Sequence, residues 1–128
     1  MFKKIKYSKL NSRQKENYNF HKVSAKLADY GFNSMRLNDD WEGADFISIN
    51  TNQMIKVQLK GRFTIDKKYI GKDLFIAFLE SEEVKIYKHD DAVNMISDNI
   101  KDSKSWKDNG MYNWNKTPKI YNQIITVL

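Results

Sequence analysis

Between residues 11 and 63 the apolar residues change period, and this change constrains the fold more than any other feature of the chain. In "SRQKENYNFHKVSAKLADY" Phe20, Val23 and Leu27 recur at helical spacing, which predicts a helix over residues 12–30. Asn11 or Ser12 can cap its start, and Gly31 can end it. Alternation then takes over. Strands are expected at residues 33–37, 44–49 and 54–63, with the hairpin-type turn "NTNQ" joining the second to the third. A further pair is expected at 73–79 and 84–87, divided by the acidic turn "ESEE". "HDDAVNMISDNI" reads as a helix whose acidic first turn suits the helix dipole. "TPKIYNQIITVL" reads as a closing helix with Thr117 as cap and Pro118 at its first position, and its β-branched residues leave a strand as the alternative. The expected fold is α/β (α+β): one domain over residues 1–128, with a central mixed β-sheet flanked by helices. An αβββ core is followed by further strands and a C-terminal helix.

Composition excludes several kinds of chemistry. The 128 residues include no cysteine, so disulfides, thiolate nucleophiles and cysteine zinc sites are absent. Two histidines, His21 and His89, make a histidine-rich metal centre a poor expectation. No apolar run reaches the roughly 20 residues that span a bilayer, and no signal-peptide core follows the basic start, so a cytoplasmic protein is expected. The net charge is +6, which suits a polyanionic partner. Cations crowd a basic N-terminal arm over residues 1–10 and the stretch from Lys56 to Lys72, while acids concentrate around residues 80–102.

The strand that starts at Met54 raises the functional question. Period two puts Ile55, Val57 and Leu59 on one face and Lys56, Gln58 and Lys60 on the other. If the hairpin folds about "NTNQ", Asp45 of the preceding strand lies beside Gln58 and Lys60. An acid, an amide and an ammonium within one side chain's reach suit metal-assisted attack on a phosphodiester. Asp45, the Gln58 amide and the Leu59 carbonyl offer hard oxygen ligands to Mg²⁺ or Mn²⁺. Lys60 can orient or deprotonate a water, or stabilise developing negative charge. The plain alternative is an amphipathic strand with a solvated polar face.

Asp45 followed by Gln58-Leu59-Lys60 resembles the D…(D/E)xK signature of the PD-(D/E)XK nuclease superfamily, in its QxK variant. "GAD" at residues 43–45 resembles the Gly-x-Asp approach to its second core strand, and the helix and meander over residues 12–63 resemble its αβββ front half. The layout is similar to Holliday-junction resolvases and Mrr-like nucleases, and to small bacterial proteins with "DDWEGADF", "VQLKGR" and "SWKDNGMY" regions. The resemblance implies a metal-dependent endonuclease acting on DNA, with a homodimer as one assembly. It also implies a glutamate from the first helix as a metal ligand, which here is Glu16. Glu16 lies on the stripe of Phe20, Val23 and Leu27; its structural alternative is to complement the helix dipole. Gln58 departs from the commoner carboxylate and leaves an inactive nucleic-acid-binding module open, and the basic face leaves open a protein-interaction domain of a defence or toxin system that meets an acidic partner.

Lys56, Arg62, Lys67, Lys68 and Trp41 are the candidates for contact with nucleic acid, Trp41 by stacking and the others by phosphate contact. Asp40 and Glu42 are alternative acids beside Asp45. His89 reads as a helix cap in preference to a base. Trp106, Tyr112 and Trp114 read as packing against the sheet in preference to a binding surface, and "GRFTIDKKYIG" reads as a basic loop that can contact phosphates beside the site, with a plain exposed connection as the alternative.

Overall fold

The computed structural model describes residues 1–128. Helix α1 (Ser12–Ala28) begins with a reciprocal cap: Asn11 Oδ1 accepts from the Gln14 N–H at 2.8 Å, and Gln14 Oε1 accepts from the Asn11 N–H at 2.9 Å. The helix ends before Gly31, whose φ of +80° carries the chain away. β1 (Asn33–Trp41), β2 (Ala44–Ile49) and β3 (Met54–Leu59) then form an antiparallel meander. The β2–β3 register pairs Ile49 with Met54 and Phe46 with Val57, as folding about "NTNQ" requires.

β1 is longer than its alternation suggests. "NDDWEGAD" is a hairpin tip in place of a loop, because Trp41 pairs with Ala44 across Glu42 and Gly43. Both turn residues have positive φ, 51° and 88°, as two-residue hairpins of the favoured hand require. Behind the tip the register slips, and residues 37–40 lie opposite Asp45 alone.

After β3 the chain does not form an exposed connection. β4 (Thr64–Asp66) is wholly buried and pairs with β7 (Met111–Asn113) in a separate two-stranded sheet. A 3₁₀ turn, Lys67–Tyr69, follows. β5 (Leu74–Glu80) then returns parallel to β3, and β6 (Glu83–Lys88) pairs antiparallel with β5. The expected single helix from His89 is two short ones, α2 (His89–Val93) and α3 (Asp98–Lys101), the second capped by Ser97. The closing helix is likewise corrected. Pro118 precedes a 3₁₀ turn, Lys119–Gln123, and β8 (Ile125–Val127) joins the sheet beside β6. The β-branched run "IITV" and the unpaired side of β6 decide this outcome. The six-stranded mixed sheet has the order β1-β2-β3-β5-β6-β8, and the architecture is α+β.

Each face of the sheet carries its own core. Val23 and Leu27 of α1 pack on Phe46, Val57, Ala77 and Ile86. On the other face, Phe63, Ile65 and Tyr69 of the crossover join Leu74, Ile76, Phe78 and Tyr87. Trp106 is buried there, and Trp114 stacks within 5.1 Å of the Phe63 ring, so the C-terminal aromatics pack on the sheet as expected. His89 does not cap α2 with its side chain. It is fully buried, its Nε2 accepts from the Asp66 N–H at 3.0 Å, and its Nδ1 faces Asp90 Oδ1 at 3.2 Å. Burial holds its pKa below the usual histidine value against the Asp90 carboxylate, so the neutral ring joins the crossover to α2.

No helix is long and apolar enough to cross a membrane. A Cβ at Gly43 would stand 2.9 Å from the Tyr69 ring and 3.2 Å from Leu74, at a φ that side chains resist. Gly43→Ala is therefore expected to lower stability by about 2–3 kcal/mol, from backbone strain and overpacking together. Urea unfolding measures this, and a loss no larger than that of Gly71→Ala, where a Cβ meets nothing, would show that the Tyr69 contact yields.

Candidate active site

The end of β3 and the start of β2 meet beneath the first turns of α1, and a cleft of about 340 Å³ opens there. Glu16, Asp45, Gln58, Leu59 and Lys60 all line it. The structure thus brings the five residues of the expected centre together.

A break in the ladder builds the site. Main-chain pairing of β2 with β3 runs from Ile49–Met54 to Phe46–Val57 and stops. Beyond it Asp45 Oδ2 accepts the Leu59 N–H at 2.8 Å, so a side-chain carboxylate stands where a backbone carbonyl would continue the sheet. One residue on, the Lys60 N–H donates to the Ala77 carbonyl at 3.0 Å, which ties the same segment to β5. Gln58 Nε2 donates to the Leu59 carbonyl at 3.3 Å and leaves the amide oxygen available.

Electrostatics strain both charged members. Burial raises the Asp45 pKa above the usual aspartate value, and Asp40 and Glu16 add to the rise; the Leu59 N–H and Lys60 oppose it. Burial is also the first cause that lowers the Lys60 pKa, with Lys68 adding to it and Asp66 and Asp45 opposing. Lys60 Nζ and Lys68 Nζ lie 5.3 and 5.1 Å from the centre of the Tyr69 ring. Two half-buried groups of opposite sign, each pushed toward neutrality, are what proton transfer and charge stabilisation need.

The donor set suits a hard cation. Asp45 Oδ1, the Gln58 amide oxygen, the Leu59 carbonyl oxygen and Glu16 supply oxygen alone, which matches Mg²⁺ or Mn²⁺ better than zinc. No three acidic or histidine side chains come together as a ready-made metal cluster. A cation held here therefore takes few charged ligands and keeps several waters.

Two cleft residues escaped the sequence reading. Asn19 follows Glu16 by three on α1, so helical spacing was a usable signal for it. Arg36 pairs across from Phe46, donates to Asn17 Oδ1 and lies over the Phe20 ring at 4.9 Å. Its place depends on the β1 register slip, which alternation does not reveal.

The other expected contacts are dispersed. Lys56 bonds to Glu42 at 2.6 Å and lies over the Trp41 ring at 5.6 Å, beside a separate hollow near Asp73. That ion pair, together with the charge of Lys56, holds Glu42 below the usual carboxylate range, away from the cleft. Arg62 donates to Asn115, and Lys67 lies over the buried Trp106 at 5.2 Å. Lys68 is exposed near the cleft, 3.8 Å from Asp66.

No protein-family model matches the sequence, and no curated protein matches it. Among solved structures, a Holliday junction resolvase, Hjc of Archaeoglobus fulgidus, aligns over 60% of this chain and 78% of its own, at 11% identity and a TM-score of 0.45. A bacterial homing endonuclease, I-Ssp6803I, aligns over 85% of this chain and 78% of its own, at 14% identity and a TM-score of 0.53. The fold is similar to that of the homing endonuclease. The cleft lies at the start of β2 and the end of β3, where Asp45 meets Gln58, Leu59 and Lys60.

The raised pKa of Asp45 sets a sign for stability. A folded pKa above the unfolded value favours the fold at low pH, and the benefit is lost as pH rises through the folded pKa. At neutral pH the ionised carboxylate thus weakens the fold, whereas an asparagine keeps an acceptor for the Leu59 N–H. Asp45→Asn is expected to raise the melting temperature at pH 7, with the gap narrowing as pH falls through the raised pKa. Thermal melts of both proteins across pH 4–7 test this; a less stable variant at pH 7 would contradict the electrostatic reading.

Proposed function

We propose that the protein is a metal-dependent endonuclease that hydrolyses DNA phosphodiester bonds. The observation that carries this reading is the single cleft joining Asp45, Gln58, Leu59, Lys60 and Glu16. Asp45, Gln58, the Leu59 carbonyl and Glu16 would hold Mg²⁺ or Mn²⁺, which when bound polarises the phosphate and acidifies a water. Lys60, with its lowered pKa, orients the attacking water, takes its proton or stabilises charge on the phosphorane. Arg36 adds a second cation at the cleft wall. Lys68, Lys67 and Arg62, around the crossover, attract the backbone without reading its sequence. Lys56 and Trp41 flank the separate hollow and would meet DNA only beyond the cleft.

One observation favours a second reading. Gln58 stands in place of a carboxylate, and no three acids converge, so a binding module without turnover fits the same surface. Cleavage of supercoiled plasmid and branched DNA with Mg²⁺ or Mn²⁺ separates the two. Asp45→Ala and Lys60→Ala are each expected to lower the cleavage rate at least about a hundredfold, as loss of a general acid–base or charge-stabilising group does, while DNA affinity stays within several-fold. Folded wild-type protein that binds DNA in a salt-sensitive way and cuts none of these substrates is the binding module. Equal cutting by all three proteins removes the assignment to this strand pair.

A further inference from the structure

A second pocket, of about 370 Å³, adjoins the cleft and shares Asn19, Lys60 and Gly61 with it. Its other walls include Tyr7, Tyr18 and Glu82. Tyr7 and Tyr18 are 41% and 36% exposed and belong to neither hydrophobic core. Their centroids lie 5.1 Å apart with the planes at 60°, and the Tyr7 hydroxyl donates to Asn19 Oδ1 at 3.3 Å. Each ring carries an ammonium: Lys15 Nζ lies 5.4 Å from the Tyr7 centre, and Lys22 Nζ 5.2 Å from that of Tyr18. Tyr7 also fixes the end of the basic arm, so Lys3, Lys4 and Lys6 start from the rim of this pocket.

These features separate one occupant from others. Exposed tyrosine rings next to cations suit a planar base attached to phosphates, through stacking inside and charge outside. Glu82 argues against a phosphate in the pocket itself, while its carboxylate can accept from a base N–H or exocyclic amine. The shared Lys60 wall makes the pocket continuous with the phosphodiester cleft, so one strand can occupy both. A base still paired in a duplex cannot turn its face onto Tyr18, whereas an unpaired one can.

Resting on the nuclease reading, we infer that this pocket receives an unpaired nucleobase next to the target phosphodiester. The preferred substrate is then DNA with a nucleotide already out of the helix, at a bulge, fork, branch or single-stranded stretch. The arm and the two tyrosines select the substrate by shape, and Lys60 links that selection to the chemistry.

The test uses full-length Asp45→Asn with Mg²⁺ and two DNA duplexes of equal length, one fully paired and one with a single unpaired 2-aminopurine. Stacking is expected to quench 2-aminopurine fluorescence on binding. Adding Tyr18→Ala should weaken binding of the bulged DNA about tenfold and of the paired duplex less than about twofold, while Tyr18→Phe keeps the preference. Circular dichroism checks folding, and Tyr7→Ala repeats the comparison if Tyr18→Ala unfolds. Unchanged fluorescence, or equal losses on both DNAs, overturns the pocket assignment. The outcome is independent of turnover. Quenching that needs Tyr18, in a protein whose wild type cuts nothing, keeps the pocket and removes the nuclease. Cutting that needs Asp45 and Lys60, with no Tyr18-dependent preference, does the reverse.

Discussion

The parallel pairing of β3 with β5 is the constraint on which the rest of the molecule depends. Lys56 to Leu59 align with Leu74 to Ala77 in the same direction, so the chain must cross one face of the sheet between them. No long helix makes that crossing. Phe63, Ile65 and Tyr69 make it instead, and they become the centre of the second core. The Tyr87 hydroxyl donates to the Thr64 carbonyl and accepts the Thr64 N–H at 3.0 Å, which satisfies the buried backbone of that segment. The same pairing sets the C-terminal ends of β3 and β5 side by side. Both pockets open there.

The centre tolerates polar groups that the fold disfavours. Asp45 and Lys60 are each drawn toward their neutral forms, chiefly by loss of water, and each is opposed in part by the other. A fold selected only for stability would place apolar residues at such positions. Gln58 moderates the conflict. An uncharged amide at this position adds no fourth carboxylate beside Asp45, Asp40 and Glu16. A cation placed there would gain less from this neutral oxygen than from a charged one.

Features with a strong local period were legible in the sequence. The capped helix, the hairpin about residues 50–53 and the meeting of Asp45 with Gln58 and Lys60 all follow from spacing, because hairpin register is set over a few residues. Features decided by distant partners were not. "TIDKK" looks like a polar connection, yet β7, Tyr87 and His89 lie far along the chain and satisfy its backbone, so it is buried. The final residues carry both helix and strand signals, and the vacant side of β6 settles them. His89 beside two aspartates reads as a surface signal until its contact with the crossover is known. Lys56 and Trp41 looked like free contacts because a two-residue turn at Glu42–Gly43, which folds Glu42 back onto Lys56, leaves little trace in hydropathy.

The slipped register of β1 has a consequence away from the chemistry. β1 is an outer strand of the sheet, and an outer strand with regular spacing invites a second molecule to add its own. Residues 37–40 interrupt the spacing, and Asp39 and Asp40 place negative charge along the interrupted stretch. The irregularity that makes room opposite Asp45 thus also makes β1 a poorer template for edge-to-edge strand addition.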